Sequence, residues 1–126
     1  MSTLLSAELM PGTTPILKAV VSGEDITDST VYVSIESGDI IYTKSNYHDD
    51  GTISLEKAYD ENSNFLGTEV TVMYTQEDTL CLSPGYARVQ IGWVSEDDTA
   101  DKTNMGRVHV PNTLIREVMR YGKDNT

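Results

Sequence analysis

The sequence predicts an all-β fold, an immunoglobulin-like antiparallel β-sandwich of seven or eight strands with a short C-terminal helix; a small β-barrel is the alternative. Three observations lead there. Period-two alternation recurs in short blocks, the blocks are enriched in β-branched residues, and each ends at Gly, Asp, Asn or Pro. A chain of 126 residues is one domain with one ordinary core, which excludes a multidomain enzyme.

Each element has a local reason. In Pro11-Gly12-Thr13-Thr14-Pro15, two prolines hold the backbone extended and leave no room for a helix start, so Ile16 to Val21 enters as a strand. Thr30 to Glu36 alternates cleanly, with Val31, Val33 and Ile35 on one face and Tyr32, Ser34 and Glu36 on the other. Ser37-Gly38-Asp39 supplies turn chemistry before Ile40 to Lys44, and the two runs read as a hairpin. Asp49-Asp50-Gly51 is the next turn signal, ahead of the alternating run Thr52 to Glu56. Asp60 to Asn64 is too polar for a core element and reads as a loop before the strand Glu69 to Tyr74.

Thr75 and Asp78 have the spacing of an N-terminal cap, which predicts one helical turn over Thr75 to Leu80. Ser83-Pro84-Gly85 turns into Tyr86 to Val94, the most strand-like segment, placed centrally with Val89, Ile91 and Trp93 on one face. Glu96 to Asp101 reads as a connecting loop and Gly106 to Val110 as the last strand, closed by Pro111. Asn112 then caps a helix over Thr113 to Tyr121, where Leu114, Ile115, Val118 and Met119 fall at helical spacing and Gly122 terminates. The domain plan is an N-terminal arm over 1–9, the sandwich over 10–111, and a C-terminal helix and tail over 112–126.

Charge narrows the partners. Nine Lys and Arg against twenty Asp and Glu give −11, which repels DNA, RNA and anionic lipid. Five basic and two acidic residues after position 101 make that stretch +3, leaving −14 on the rest. Direct nucleic-acid and membrane partners are therefore not expected. Cys81 is the single cysteine, so neither an intrachain disulfide nor a thiolate zinc cage can form. It lies between Leu80 and Leu82 and reads as a buried or half-buried, inert thiol. The opening ten residues hold no basic residue and only a short apolar pair, so no signal peptide is expected and the product is made in the cytoplasm.

Catalytic and metal chemistry have little textual support. Asp97, Thr99 and Asp101 alternate as in a calcium loop, but Lys102 stands where the turn needs Gly; Asp60, Asn62 and Asn64 repeat the spacing, with Phe65 and Thr71 at the two decisive positions. His48 and His109 are the only imidazoles, and His109 is expected to face outward between two inward valines. There is no Gly-x-Ser-x-Gly elbow and no phosphate loop. No enzyme, cofactor or metal site is expected. Seven tyrosines against one Phe suggest half-exposed faces, with Tyr32, Tyr42, Tyr47, Tyr59 and Tyr74 as candidates, while Trp93 belongs to the core.

Two segments carry a resemblance. Met10-Pro11-Gly12-Thr13-Thr14-Pro15 before an apolar strand, and Tyr74-Thr75-Gln76-Glu77-Asp78-Thr79-Leu80 before Pro84-Gly85 and Ala87 to Ile91, resemble small structural proteins in tail gene clusters of phages and prophages from gut Firmicutes. They are also similar to the immunoglobulin-like N-terminal domain of phage baseplate upper proteins. The resemblance spans roughly residues 10 to 110; the leader, the polar insertion at 60–64 and the C-terminal stretch depart from it.

The resemblance implies a non-enzymatic virion structural protein, a tail, baseplate or capsid-attached module in a symmetric assembly. Its partners would be other virion proteins and further copies of itself. Met10, Pro11, Pro15, Leu114, Ile115, Val118, Met119 and Tyr121 are the candidate interface, since a nine-residue helix must pack on something. Two alternatives stay open: an acidic phage-encoded inhibitor mimicking DNA, of the anti-CRISPR or antirestriction type, and a carbohydrate-binding adhesion module stacking Tyr and Trp on sugars.

Overall fold

The computed structural model describes residues 2–4, 8–48 and 51–122. Nine strands are present among them: β1 (Ser2–Leu4), β2 (Ile16–Ser22), β3 (Thr30–Ser37), β4 (Ile40–Ser45), β5 (Ile53–Tyr59), β6 (Phe65–Met73), β7 (Gly85–Val94), β8 (Ala100–Lys102) and β9 (Gly106–Val110). A single α-helical turn, α1 (Gln76–Leu80), links β6 to β7.

All the strand pairings are antiparallel, and they build two separate sheets, β1-β2-β6-β5 and β4-β3-β7 with β8 and β9 both on the far side of β7. Lettered A-B-E-D and C′-C-F-G, this is the immunoglobulin Greek key. The fold is thus a sandwich and not the alternative barrel. The hairpin at Gly38-Asp39 forms as expected, with Ser37 opposite Ile40 and Gly38 at φ 59°, the positive value that the first central residue of a type II′ turn requires. Asp49 and Asp50 lie outside the described residues.

The core comes from inward residues of both sheets. Val31, Val33 and Ile35 of β3 and Val89, Ile91 and Trp93 of β7 face Leu17, Ala19 and Val21 of β2 and Val70 and Val72 of β6. Each fully buried aliphatic side chain stabilises by roughly 1.5–3 kcal/mol, so these rows hold the sheets together. β7 is central, as its composition suggests, because it pairs with β3 on one side and β8 and β9 on the other.

Three stretches differ from the sequence expectation. The first is the one set apart as an arm. β1 pairs with β2, Glu8 forms a parallel bridge with His109, and Leu9 is completely buried, its N–H donating to the His109 carbonyl at 3.0 Å. The chain therefore crosses from the first sheet to the second before residue 10. In the second, Ala100 and Asp101 belong to β8, a strand whose three residues are all exposed and so leave no alternation to read.

The third is the C-terminal helix, which does not form: residues 111–122 are irregular. A lone nine-residue helix is marginal in water, and of its apolar stripe Val118 is half-buried while Leu114, Ile115 and Met119 stay exposed. Asn112 Oδ1 accepts from the Thr113 N–H and from the Arg116 guanidinium, not from the deeper amides that a cap must satisfy. Met119 gives its backbone N–H and C=O to the side chain of Gln76, so neither is free for helical bonding.

Candidate interaction surface

The surface is organised by α1. Its capping box is complete: the Thr75 hydroxyl accepts from the Asp78 N–H at 3.1 Å, and the Asp78 carboxylate accepts from the Thr75 N–H at 2.8 Å. This makes the short turn rigid enough to act as a bracket, with each flank holding one chain terminus.

On one flank, the fully buried Thr79 hydroxyl accepts from the Gly12 N–H and donates to the Thr13 carbonyl, both at 2.9 Å. These bonds fix the Pro11–Pro15 turn. On the other flank, Gln76 holds Met119. The two flanks meet at Gly12, where a β-carbon would lie 3.2 Å from a Leu80 methyl and 3.8 Å from the Ile115 carbonyl.

The expected interface residues thus collect at one pole of the sandwich, in different states. Pro11 is buried, Pro15 and Val118 are half-buried, and Met10 is exposed. Leu114 is 99% exposed, Ile115 54% and Met119 47%, and Tyr121 stands fully in solvent. Arg116 and Arg120 lie exposed between them. The helical spacing that selected these residues is not how they are presented; a non-helical segment displays them.

The Asp78 carboxylate also ties α1 to the second sheet. It accepts from the Tyr42 hydroxyl at 2.6 Å and pairs with Lys44 at 3.0 Å. Burial pushes the Asp78 carboxyl up, but the Thr75 N–H, the Tyr42 hydroxyl and the Lys44 ammonium together outweigh it and hold the group below the usual carboxylate range. Tyr74, whose ring lies 5.6 Å from the Lys44 ammonium, is buried, and its hydroxyl has no hydrogen-bond partner. Desolvation, with Asp78 and Tyr42 nearby, drives that phenol far above its ordinary value. Tyr42 and Tyr74 therefore serve the interior, while Tyr47 and Tyr59 are exposed; the five tyrosines do not share a face.

Elsewhere the surface is shallow. On the outer face of the second sheet, one depression of about 260 Å³ lies beside Tyr32, Gln90 and Gly92, and another of about 220 Å³ surrounds the Glu36–Arg88 ion pair next to Ile41 and Met105. Both are below the ~300–1,000 Å³ of ordinary ligand clefts. A third, of about 390 Å³, is rimmed by Asp25, Asp28, Glu96 and Asp97. Two of its carboxylates are engaged locally: Asp25 accepts from Thr27 and pairs with Lys57 at 3.6 Å, and hydrogen bonds from Ser95 and Thr99 pull Asp97 down to about 2.

Among the described residues no group of three or more His, Cys, Asp or Glu side chains is placed to hold a metal ion, and no helix is long and apolar enough to cross a membrane. His109 faces outward as expected, beside Glu8. Cys81 is exposed, contrary to the expectation from its leucine neighbours; it closes α1, which turns its side chain outward while Leu82 goes inward.

No family model matches the chain, and no curated protein matches it.

Proposed function

We propose that this chain is a non-enzymatic virion structural module, a sandwich that occupies symmetric positions in a phage tail, baseplate or capsid-attached assembly. It works through contacts with other virion proteins and with copies of itself. The observation that carries this reading is the C-terminal segment, which holds Leu114, Ile115, Met119 and Tyr121 exposed at a braced pole. Apolar and aromatic side chains interleaved with Arg are the composition of a contact surface, not of solvated chain. The two stretches that resemble phage tail-cluster proteins, 10–15 and 74–80, converge on the same pole through the Thr79 bonds to Gly12 and Thr13, which supports the reading further.

The two alternatives fit less well. Stacking on sugars would call on Trp93, whose indole is in the core. A DNA mimic needs free carboxylates in a row, whereas Asp25 and Asp97 are bonded within their own turns, and Arg116 and Arg120 stand exposed at the other pole.

The test is direct. Particles purified from the producing bacterium should contain the chain in a fixed ratio to the other structural proteins by quantitative mass spectrometry. A chain ending at Pro111 should fold but fail to enter particles. Absence of the full chain from intact, infectious particles overturns the reading.

A further inference from the structure

We propose that copies of this chain join head to tail, the C-terminal segment of one lying on the tip of the β5–β6 hairpin of the next. The proposal rests on the assembly reading above and names its partner as a second copy.

The two surfaces are at opposite poles. Residues 111–122 leave β9 where Val110 pairs with Gly85, at the pole that carries α1. The β5–β6 tip lies at the other end, where Tyr59 pairs with Phe65 and Gly67 with Ser22. Nine residues of β6 separate them, about 30 Å at roughly 3.3 Å per residue. Because Gln76 anchors Met119 at the α1 pole, the segment is held away from the tip of its own chain. A neighbouring copy supplies the other half.

The tip is apolar and built in advance. Tyr59 is 55% exposed and Phe65 41%, their rings edge to face at 6.1 Å, and Leu66, next in β6, is exposed as well. The Asp60 carboxylate accepts from the Asn62 and Asn64 N–H groups and from the Asn64 amide, and the Asp60 N–H donates to the Asn64 carbonyl. These bonds freeze the turn that carries both rings. Just beyond it, Gly67 at φ 149° packs so closely that a β-carbon would lie 2.1 Å from the Val21 carbonyl oxygen. A surface ordered before contact loses little entropy on binding.

Charge favours the match. Asp60 and Glu61 sit in the tip, and Asp28 and Glu96 lie at the same pole beside Asp25, which pairs with Lys57 at 3.6 Å, and Asp97, which is bonded within its own turn; that pole is reached through the Thr68 hydroxyl, which accepts from the Ile26 N–H and donates to the Glu24 carbonyl. The opposite segment offers Arg116 and Arg120, against the one carboxylate of Glu117, among its apolar side chains. An apolar, carboxylate-rimmed tip against an apolar, arginine-bearing segment is complementary, whereas tip on tip sets carboxylates together. The contact is heterologous, so it closes into a ring or propagates as a filament.

Sedimentation velocity on the full chain tests this. Wild type should grow with concentration and shrink with added salt. A tip variant, Tyr59→Ser with Phe65→Ser, and a segment variant, Leu114→Ser with Ile115→Ser, should each associate at least about tenfold more weakly. Mixed in equal amounts they should form one-to-one dimers that do not grow, since one intact tip meets one intact segment. Should the tip variant fail to melt cooperatively, Glu61→Lys and Arg116→Glu, which alter charge alone, serve as the pair; each alone should associate more weakly, and their mixture should grow again, since each altered tip then meets the oppositely altered segment. A wild type that stays monomeric, or a mixture that does, overturns the head-to-tail contact. Presence in particles together with such a result leaves the virion reading standing, and head-to-tail growth with absence from particles overturns that reading alone.

Discussion

One side-chain amide holds both backbone groups of one residue: Gln76 Nε2 donates to the Met119 carbonyl at 2.9 Å, and the Met119 N–H donates to Gln76 Oε1 at 2.6 Å. The pair spans 43 positions in the chain and does for Met119 what a neighbouring strand would do. It is the anchor of a segment that otherwise shows most of its side chains to solvent.

Replacing Gln76 by Ala should release residues 112–122 without unfolding the body. Two bonds at an exposed site contribute about 1–3 kcal/mol at most, and that sum acts on the segment and not on the sheets. Trypsin should cut after Arg116 and Arg120 several-fold faster in the variant, while the thermal midpoint moves little. An unchanged cleavage rate would show that the anchor does not hold.

Thr79→Val keeps shape and removes the hydroxyl. The Gly12 N–H, bonded at a buried site, then has no acceptor, and the Thr13 carbonyl loses a donor. Stranding such groups costs about 1–3 kcal/mol, measurable as a lower urea midpoint at unchanged slope. Thr79→Ser, which keeps the oxygen, should recover most of the loss.

Stability should fall in acid partly through Asp78. Its folded pKa lies below the ordinary carboxylate value, so its contribution is present above the unfolded value, near 4, and is lost as pH drops through the folded one. Asp78→Asn should therefore lower the melting temperature at pH 7 and much less at pH 2. Equal losses at both pH values would mean that the Lys44 and Tyr42 contacts act through packing and not through charge.

Tyr74→Phe should be neutral or mildly stabilising, by up to about 1 kcal/mol. The hydroxyl is buried without a partner, so removing it relieves a desolvation cost and breaks no hydrogen bond. Thermal unfolding of the two proteins side by side decides it.

The candidate surface was only half visible in the residue order. Leu114, Ile115 and Met119 stood out as apolar side chains in need of a partner, and Pro11 with Pro15 as an extended turn. That both groups meet at α1 was not visible, because Thr79 to Gly12 is a contact across 67 positions and Gln76 to Met119 one across 43. No local periodicity encodes either. Tyr59 stood out as a half-exposed tyrosine, but its edge-to-face pairing with Phe65 did not, because the polar loop between them carries no alternation that would bring the two rings together.

What residue order alone determined was short-range. The alternation of Val31, Val33 and Ile35 decides which face of β3 is buried, Gly38 permits the turn into β4, and Thr75 with Asp78 closes a capping box within one helical turn. Each is settled by atoms a few residues apart. What only the tertiary structure decided was whether an apolar stripe finds a surface to cover. Residues 113–121 have helical spacing, yet helix formation needs burial to offset its entropy, and here Leu114, Ile115 and Met119 stay exposed while Gln76 takes the backbone groups of Met119.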